Sequence, residues 1–337
     1  MRLAAALLAT ALGLALRAGA ASPPPGRLVF DDFVGLGNAT QLFVARADGS
    51  HRVRITYGGG SYAQPRWSPD GRRLVAIGGP GLVVMSPNGA VLHRIATAAS
   101  SFAPSWSPAG GRVAYLILSC DGPNTRGDPT CATLWVARAD GRARRRLSAP
   151  AAVDASQGLQ GLYSWSPDST RIAYVRQDGI ALVDATSGKT SLLGPPTKLI
   201  EQFPSWSPDG RWIFFMKQRA PFKGADLVAV HPDGSGLHRI RATASAWAPR
   251  WSPDGRRIAF LVDMPRLSEW AVVVVHPDGS ARTRVGTTAD DSVLLWSPDS
   301  TRLLFVAGVG TTFAVARADG RGKVLHARGG YDPDWGP

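Results

Sequence analysis

The sequence comprises 337 residues with a formal net charge of +13, and only five of its 38 basic residues are lysine. A basic run such as 142–146 could attract nucleic acid or anionic surface polymers, but the arginines are spread along the whole chain without interleaved aromatic residues or a recognisable nucleic-acid-binding motif. The charge pattern therefore argues against specific nucleic-acid binding. The length fits either two ordinary domains or one closed repeat fold.

Residues 1–21 have the pattern of a secretory signal peptide. An apolar run from Leu3 to Leu16 is followed by small residues that predict cleavage after Ala20 or Ala21. The run is shorter than the roughly 20 residues of a membrane-spanning helix, and no later segment is long enough to cross a bilayer. No cysteine lies directly after the predicted cleavage site, so a lipoprotein anchor is not indicated. We expect residues 22–337 to be exported as a single domain to the periplasm, the cell envelope or the extracellular space.

A tryptophan recurs along the mature chain, six times within a Trp-Ser-Pro pattern and a seventh time in the C-terminal Tyr-Asp-Pro-Asp-Trp. The steps between successive copies are 39, 59, 41, 45, 45 and 39 residues. A period near 45 residues is typical of a four-stranded propeller blade. The repeated residues, which we expect to be structural, are Trp67, Trp106, Trp165, Trp206, Trp251, Trp296 and Trp335.

Each repeat contains two turn signals. After Trp-Ser, Pro and Asp favour a turn that Gly completes with a positive φ. Ser169 and Ser300 replace this Gly in two repeats, which predicts a slightly strained turn or another turn type there. The next strand is apolar on both faces, as expected for strands between stacked blades. The second turn follows the third strand of all seven units and is marked by Gly49, Gly89, Gly141, Gly188, Gly234, Gly279 and Gly320.

The order of these markers predicts how the ring closes. The first unit begins without its own Trp-bearing strand, whereas the chain ends with one, so residues 331–337 can complete the blade that residues 27–57 begin. We therefore predict an all-β fold: a seven-bladed β-propeller of four-stranded antiparallel blades, closed by the C-terminal strand joining the N-terminal blade.

The repeated Trp-Ser-Pro-Asp-Gly motifs and the Asp-Gly turns resemble the WD-like propeller repeat of the TolB family, over about residues 27–337. The repeat is also similar to that of the propeller in prolyl-oligopeptidase-type serine peptidases. The TolB resemblance implies propeller architecture, export and binding of protein partners in the cell envelope. TolB itself has an additional α/β domain and six blades, so its partner-binding residues cannot be transferred to this chain.

Few residues suggest catalysis. Ser61, within Gly59–Ala63, resembles the nucleophile of an oligopeptidase but lacks the final Gly of the elbow and its strand-turn-helix context. The six histidines occupy repeated positions, and neither Asp31–Asp32 nor Asp290–Asp291 has the alternating ligands of a cation loop. The sequence therefore predicts no catalytic, cofactor-binding or metal-binding residues.

Cys120 and Cys131 are the only cysteines, and they flank a short polar stretch. In an exported protein, this pattern favours a disulfide that closes the loop. A zinc site is the alternative, but two thiolates without a nearby histidine supply only half of the usual ligands.

Longer connections on one face of the propeller indicate where a partner binds. The two tight turns of each blade lie on the opposite face, whereas variable connections occur at 31–40, 119–132, 217–224 and 263–269. Six units place an aromatic residue on this face just before the inner strand. These residues either pack between blades, which is the preferred interpretation, or ring the channel mouth as a docking site: Tyr62, Phe102, Tyr163, Phe203, Trp247 and Tyr331.

The resulting functional prediction is a non-catalytic, TolB-like binding or scaffold protein, expected to be a monomer. Its expected partner is an envelope protein or a cell-wall component. The alternative is a propeller-based hydrolase or lyase, or the accessory propeller of a serine peptidase.

Overall fold

The computed structural model describes residues 26–35, 39–96, 101–118, 130–149, 151–153, 161–197, 199–218, 225–240, 245–264, 269–289, 293–307, 312–322, 324–328 and 330–337. The predicted signal peptide lies outside these ranges. Within them, no helix is long and apolar enough to span a membrane.

The described strands form seven antiparallel sheets, numbered here as blades 1–7 and given from the innermost strand outward. Blade 1 contains β29 (Tyr331–Gly336), β1 (Arg27–Phe33), β2 (Thr40–Arg46) and β3 (Val53–Arg54). Blade 2 contains β4 (Tyr62–Trp67), β5 (Leu74–Gly78), β6 (Gly81–Met85) and β7 (Val91–Ala96). Blade 3 contains β8 (Ser101–Trp106), β9 (Arg112–Leu118), β10 (Thr130–Arg138) and β11 (Arg145–Arg146), with β12 (Ala151–Val153) paired to the other end of β10.

The remaining four blades repeat the same order. Blade 4 contains β13 (Tyr163–Trp165), β14 (Arg171–Arg176), β15 (Gly179–Asp184) and β16 (Thr190–Leu192), and blade 5 contains β17 (Ile200–Trp206), β18 (Ile213–Gln218), β19 (Asp226–Val230) and β20 (His238–Arg239). Blade 6 contains β21 (Ala246–Trp251), β22 (Ile258–Met264), β23 (Glu269–Val275) and β24 (Thr283–Thr288). Blade 7 contains β25 (Leu294–Trp296), β26 (Arg302–Val306), β27 (Thr312–Arg317) and β28 (Leu325–Arg328).

The two ends of the described chain meet in blade 1. β29 pairs antiparallel with β1, placing Trp335 opposite Leu28, and the indole is 7% exposed. Gly336 lies so close to Trp67 of blade 2 that a Cβ would sit 2.3 Å from the indole ring, which explains a glycine at this position. The predicted fold class and its closure by the C-terminal strand are therefore confirmed.

The hydrophobic core consists of layers between neighbouring blades. At the closing interface, Leu28 and Phe30 of blade 1 pack with Leu304 and Phe313 of blade 7. The other six interfaces have equivalent clusters, in which side chains from two consecutive blades interdigitate. This arrangement explains why the second and third strands are apolar on both faces.

Several arginines also join the blades. The guanidinium of Arg73 lies 4.8 Å from the ring centre of Trp106 in the following blade, and Arg257 lies 5.3 Å from Trp296. Equivalent pairs, at 4.5 and 5.1 Å, are Arg27–Trp67 and Arg171–Trp206. Part of the positive charge therefore stabilises blade packing through cation–π contacts.

The turn after each Trp-bearing strand is built by its own side chains. In blade 6, the Ser252 hydroxyl donates to Asp254, which accepts the backbone N–H of Arg256. Ser169 and Ser300 adopt φ values of 62° and 61°, which is the same left-handed conformation that glycine has at this position in the other repeats. Both hydroxyls accept a backbone N–H from the preceding blade.

Five inner strands are irregular at the residue before proline. Each of these residues has a positive φ between 44° and 56°, and the pairing register shifts around it in β4, β8, β17 and β21. These are β-bulges, which reorient the side chains on either side. The residues are Gln64, Ala103, Phe203, Ala248 and Asp332.

Candidate functional site

The six aromatic residues of the predicted ring differ in their surroundings. Tyr163 and Phe203 are buried, at 7% and 5% exposure, whereas Tyr331 is 46% exposed. The others are partly buried against hydrophobic clusters between blades. These are Tyr62, Phe102 and Trp247. The structure therefore brings five of the six into interblade packing and leaves Tyr331 at the surface.

The six aromatic residues do not occupy equivalent positions relative to the repeated tryptophan. Only three of the six aromatics lie four residues before the repeated Trp, whereas Tyr62 lies five before it and Tyr163 two before it. The bulge in the inner strand falls within this span and changes the direction of the side chains around it. Counting each residue back from its own tryptophan would have revealed the unequal positions.

An exposed aromatic pair occurs where Tyr331 meets Phe33. Their ring centres are 5.5 Å apart with an edge-to-face angle of 78°, and Phe33 is 50% exposed. Phe33 ends β1 and Tyr331 begins β29, so both lie on the face of the longer connections, and Tyr331 stands beside the channel. The sequence did not point to Phe33 as a docking residue, although Phe33 lies in the 31–40 connection that was predicted to be variable.

A buried carboxyl lies next to this pair. Asp31 is opposite Tyr331 in the blade and is 3% exposed, and its Oδ1 accepts the N–H of Gln64 at 3.2 Å. Burial raises the pKa of Asp31 to about 7, and the nearby Asp332 carboxylate adds to this rise. Asp32 instead forms an ion pair with Arg52. The two adjacent carboxyls therefore have separate partners, consistent with alternation along a strand.

Hydrogen bonds extend from Asp31 through four consecutive blades. Gln64, which donates its N–H to Asp31, accepts the N–H of Ala103 on its side-chain Oε1 at 2.7 Å. The carbonyl of Ala103 accepts the hydroxyl of Tyr163, which also reaches the Ala114 carbonyl at 3.0 Å. Gln64 and Ala103 are the bulge residues of their strands, so the bulges provide the polar groups that link the inner strands.

A cavity of about 350 Å³ occupies the central channel and draws its walls from the inner strands of blades 2–7. The residue immediately before each repeated Trp contributes to this wall in all six blades. In ring order these residues are Arg66, Ser105, Ser164, Ser205, Arg250 and Leu295. The equivalent residue in blade 1 is Asp334.

The charged members of this set have different environments. Asp334 accepts the N–H of Trp67 at 2.7 Å, and desolvation raises its pKa while the charge of Arg66 opposes that rise. Arg66 donates to the carbonyls of Asp332 and Pro333, so it belongs to the closure of blade 1. Desolvation, together with the positive charge of Arg66, lowers the pKa of Arg250 to about 10.

The other candidate residues from the sequence are dispersed. Ser61 lies between β3 and β4, where its hydroxyl accepts the N–H of Thr40 at 3.4 Å. Among the described residues, no three His, Cys, Asp or Glu side chains are grouped closely enough to hold a metal ion. Asp290, Asp291 and Cys120 fall outside the described residues, as does the side chain of Cys131, so the disulfide stays a prediction.

No protein-family model matches the sequence, and no curated protein matches it. Solved structures do share the fold. TolB from Acinetobacter baumannii is 14% identical, with a TM-score of 0.55 over 93% of this chain and 83% of that chain. The chain has a TolB-like β-propeller fold.

Enzymes share this architecture as well. An oligogalacturonate lyase from Vibrio parahaemolyticus is 13% identical, with a TM-score of 0.60 over 89% of this chain and 85% of the lyase. A puromycin hydrolase is 18% identical, with a TM-score of 0.53 over 82% of this chain but 46% of the hydrolase. At these identities the comparisons establish the fold alone, and they do not distinguish a binding protein from an enzyme.

Proposed function

We propose that this protein is an exported, non-catalytic, TolB-like propeller that binds an envelope protein or a cell-wall component. The observation that carries the proposal is the exposed pair of Phe33 and Tyr331 beside the channel on the face of the longer connections. Export rests on the signal-peptide pattern of residues 1–21, and the TolB resemblance supports an envelope location and a protein partner.

The pair has the properties of a docking anchor. Large aromatic side chains contribute most of the binding energy at many interfaces, and they lose little conformational entropy on binding. Tyr331 belongs to the ring-closing strand, where pairing with β1 holds its backbone in register. The edge contact between the two rings further limits their movement. A rigid propeller therefore presents preorganised apolar surface at its channel mouth.

The other exposed large hydrophobic residues have different locations. Val53, Val91, Leu92 and Leu237 lie on outer strands or in the turn leading to one, away from the channel. Tyr57 is 70% exposed, but its hydroxyl donates to the Arg54 carbonyl and its ring lies under the Arg54 guanidinium, 4.7 Å away. Phe33 and Tyr331 are thus the exposed aromatic residues that contact one another among those described.

The docking proposal can be tested by affinity capture from an envelope extract. The double variant F33A/Y331A removes the pair. The matched control V53A/L237A removes two side chains that are 57% and 52% exposed, one on an outer strand and one in the turn before an outer strand. We expect the wild type and the control to capture the same partner and F33A/Y331A to lose it. Equal capture by all three proteins, with unchanged melting temperatures, would overturn the proposed face.

The non-catalytic part of the proposal needs a separate assay. Purified protein would be incubated with oligogalacturonate and with short peptide substrates, and products would be followed by absorbance and mass spectrometry. We expect no turnover above a heat-denatured control. Turnover that disappears in Ser61→Ala would instead establish the enzyme alternative.

Export also bears on the two cysteines. We propose that Cys120 and Cys131 form a disulfide in the exported protein. Peptide mapping without reduction should detect one linked peptide that separates into two after reduction. Alkylation of both thiols in the unreduced, exported protein would contradict this pairing.

A further inference from the structure

The wall of the central cavity carries arginine side chains at a position where most blades have an uncharged residue. Four of the seven residues that precede the repeated tryptophans are Ser or Leu, and they occupy the same position in blades 3, 4, 5 and 7. A guanidinium at this position is therefore not needed to form a blade. Arg250 nevertheless places one in the wall of the cavity.

Arg250 has little charge compensation from its surroundings. Its described hydrogen bond is to the carbonyl of the adjacent Pro249 at 3.2 Å, and the ion pairs found within the described ranges do not include it. The charge that contributes to the lowered pKa of Arg250 is that of Arg66, which has the same sign. Desolvation of a charged group without an opposite charge is unfavourable, so an anion beside Arg250 would stabilise it.

Polar groups that can assist an anion lie across the cavity. Ser105, Ser164 and Ser205 line the walls of blades 3, 4 and 5, and hydroxyl groups can donate hydrogen bonds to carboxylate oxygens. Arg66 adds positive potential but already bonds the backbone of the closing strand. Asp334 interacts electrostatically with Arg66, but desolvation raises the pKa of this carboxyl, which disfavours its charged form.

We propose that the central cavity is a carboxylate-binding site in which Arg250 is the principal ligand. The planar guanidinium matches a carboxylate through two parallel hydrogen bonds. A carboxylate presents two oxygens to one guanidinium fork and loses less hydration energy on burial than a phosphate dianion, so it suits a cavity with one arginine that lacks an acidic partner among the described residues. A cavity of about 350 Å³ has room for a small acid or for one acidic side chain inserted from a bound chain. This site is separate from the exposed pair of Phe33 and Tyr331.

Binding can be measured by calorimetry and by thermal shift at constant ionic strength. Glucuronate represents a free acid, with glucose as its neutral counterpart. An acetylated and amidated Gly-Asp-Gly peptide represents an acidic residue of a chain, with Gly-Asn-Gly as its counterpart. We expect at least one acid to bind and to raise the melting temperature, whereas the neutral compounds and inorganic phosphate do not. The acid that binds more tightly identifies the source of the carboxylate.

Three variants separate ion recognition from general charge. Arg250→Gln removes the guanidinium, and Arg256→Gln removes the same charge from an exposed turn of the same blade. Arg250→Lys keeps the charge but loses the planar fork. We expect R256Q to bind like the wild type, R250Q to lose binding, and R250K to bind roughly tenfold or more weakly.

The unliganded proteins provide a second measurement. Because R250Q removes an uncompensated charge, its melting temperature should equal or exceed that of the wild type, whereas a purely structural arginine would lower it when replaced. Absence of carboxylate binding by the wild type would overturn the proposal, as would equal binding by wild type and R250Q. If R250Q does not fold, R250K replaces it in the comparison: weaker carboxylate binding by R250K than by R256Q supports the proposal, and equal binding overturns it. Failure of partner capture through Phe33 and Tyr331 leaves these binding results unaffected.

Discussion

Removal of residues 331–337 should destabilise the whole ring, because this segment is the inner strand of blade 1. Its largest contribution is Trp335, which is 7% exposed and packs with Leu28 and with residues of blade 7. Loss of a buried Trp side chain costs about 3–5 kcal/mol. Lost hydrogen bonds to β1 and to the N–H of Trp67 add roughly 0.5–1.5 kcal/mol each.

With three such hydrogen bonds the sum is on the order of 5–9 kcal/mol, which is a large part of the roughly 5–15 kcal/mol that stabilises a typical domain. Denaturant unfolding followed by circular dichroism and tryptophan fluorescence would measure the change. We expect a much lower midpoint for the truncated protein, or no cooperative transition. Deletion of Pro337 alone is the control, because this residue lies beyond β29 and is exposed.

Adding the missing strand as a peptide provides a direct test of closure. A synthetic peptide of residues 330–337 should raise the midpoint of the truncated protein, whereas the same peptide carrying Trp335→Ala should not. Equal midpoints for truncated and full-length protein would refute the argument that β29 closes the ring.

Three further predictions concern single residues. The raised pKa of Asp31, about 7 against an ordinary 3.8, means that the folded state holds this proton more tightly than the unfolded chain, so its contribution to stability is lost as pH rises from about 4 to about 7. Asp31→Asn keeps the acceptor for Gln64 and should gain on the order of 4 kcal/mol over the wild type above pH 7 but little below pH 4. Parallel unfolding profiles across pH would contradict this. Arg257→Ala should lower the free energy of unfolding by about 0.5–2 kcal/mol through loss of its contact with Trp296, whereas Arg256→Ala, in the same turn, should change it by less than about 0.5 kcal/mol. Ser300→Ala should be more destabilising in thermal melts than Ser300→Gly, because both lose the hydrogen bond from Asp254 but only glycine relieves the positive φ, and the reverse order would exclude strain at this turn.

The architecture was predictable from the sequence because its signals are local and repeated. A tryptophan strand, a Ser-Pro-Asp turn and a glycine turn recur in each unit, and every copy can be recognised within a short stretch of chain. The order of the first turn glycine and the last tryptophan also indicated which blade the C-terminal strand completes, and the pairing of β29 with β1 confirms it.

The candidate sites were less predictable. Tyr62, Phe203 and Trp247 were grouped with Tyr331 because each lies near the start of an inner strand. Packing between blades was the preferred interpretation, and the structure places these three residues in such packing. The exposed pair depends on Phe33 and Tyr331, which are almost three hundred residues apart in the sequence and meet only through ring closure. Arg250 was likewise missed within a basic sequence, although it directly precedes a repeated tryptophan, whereas Arg73 and Arg257, which stack on tryptophan, lie six residues after one.

The sequence by itself determined the number of blades, their turns and the closing strand, because hydrogen-bonded turns and apolar strands depend on residues that are near one another in the chain. Only the tertiary structure decided which side chains enter the channel, which pack between blades and which reach solvent. Those outcomes depend on strand register, on bulges and on the neighbouring blade, where a shift of one residue reverses the direction of a side chain.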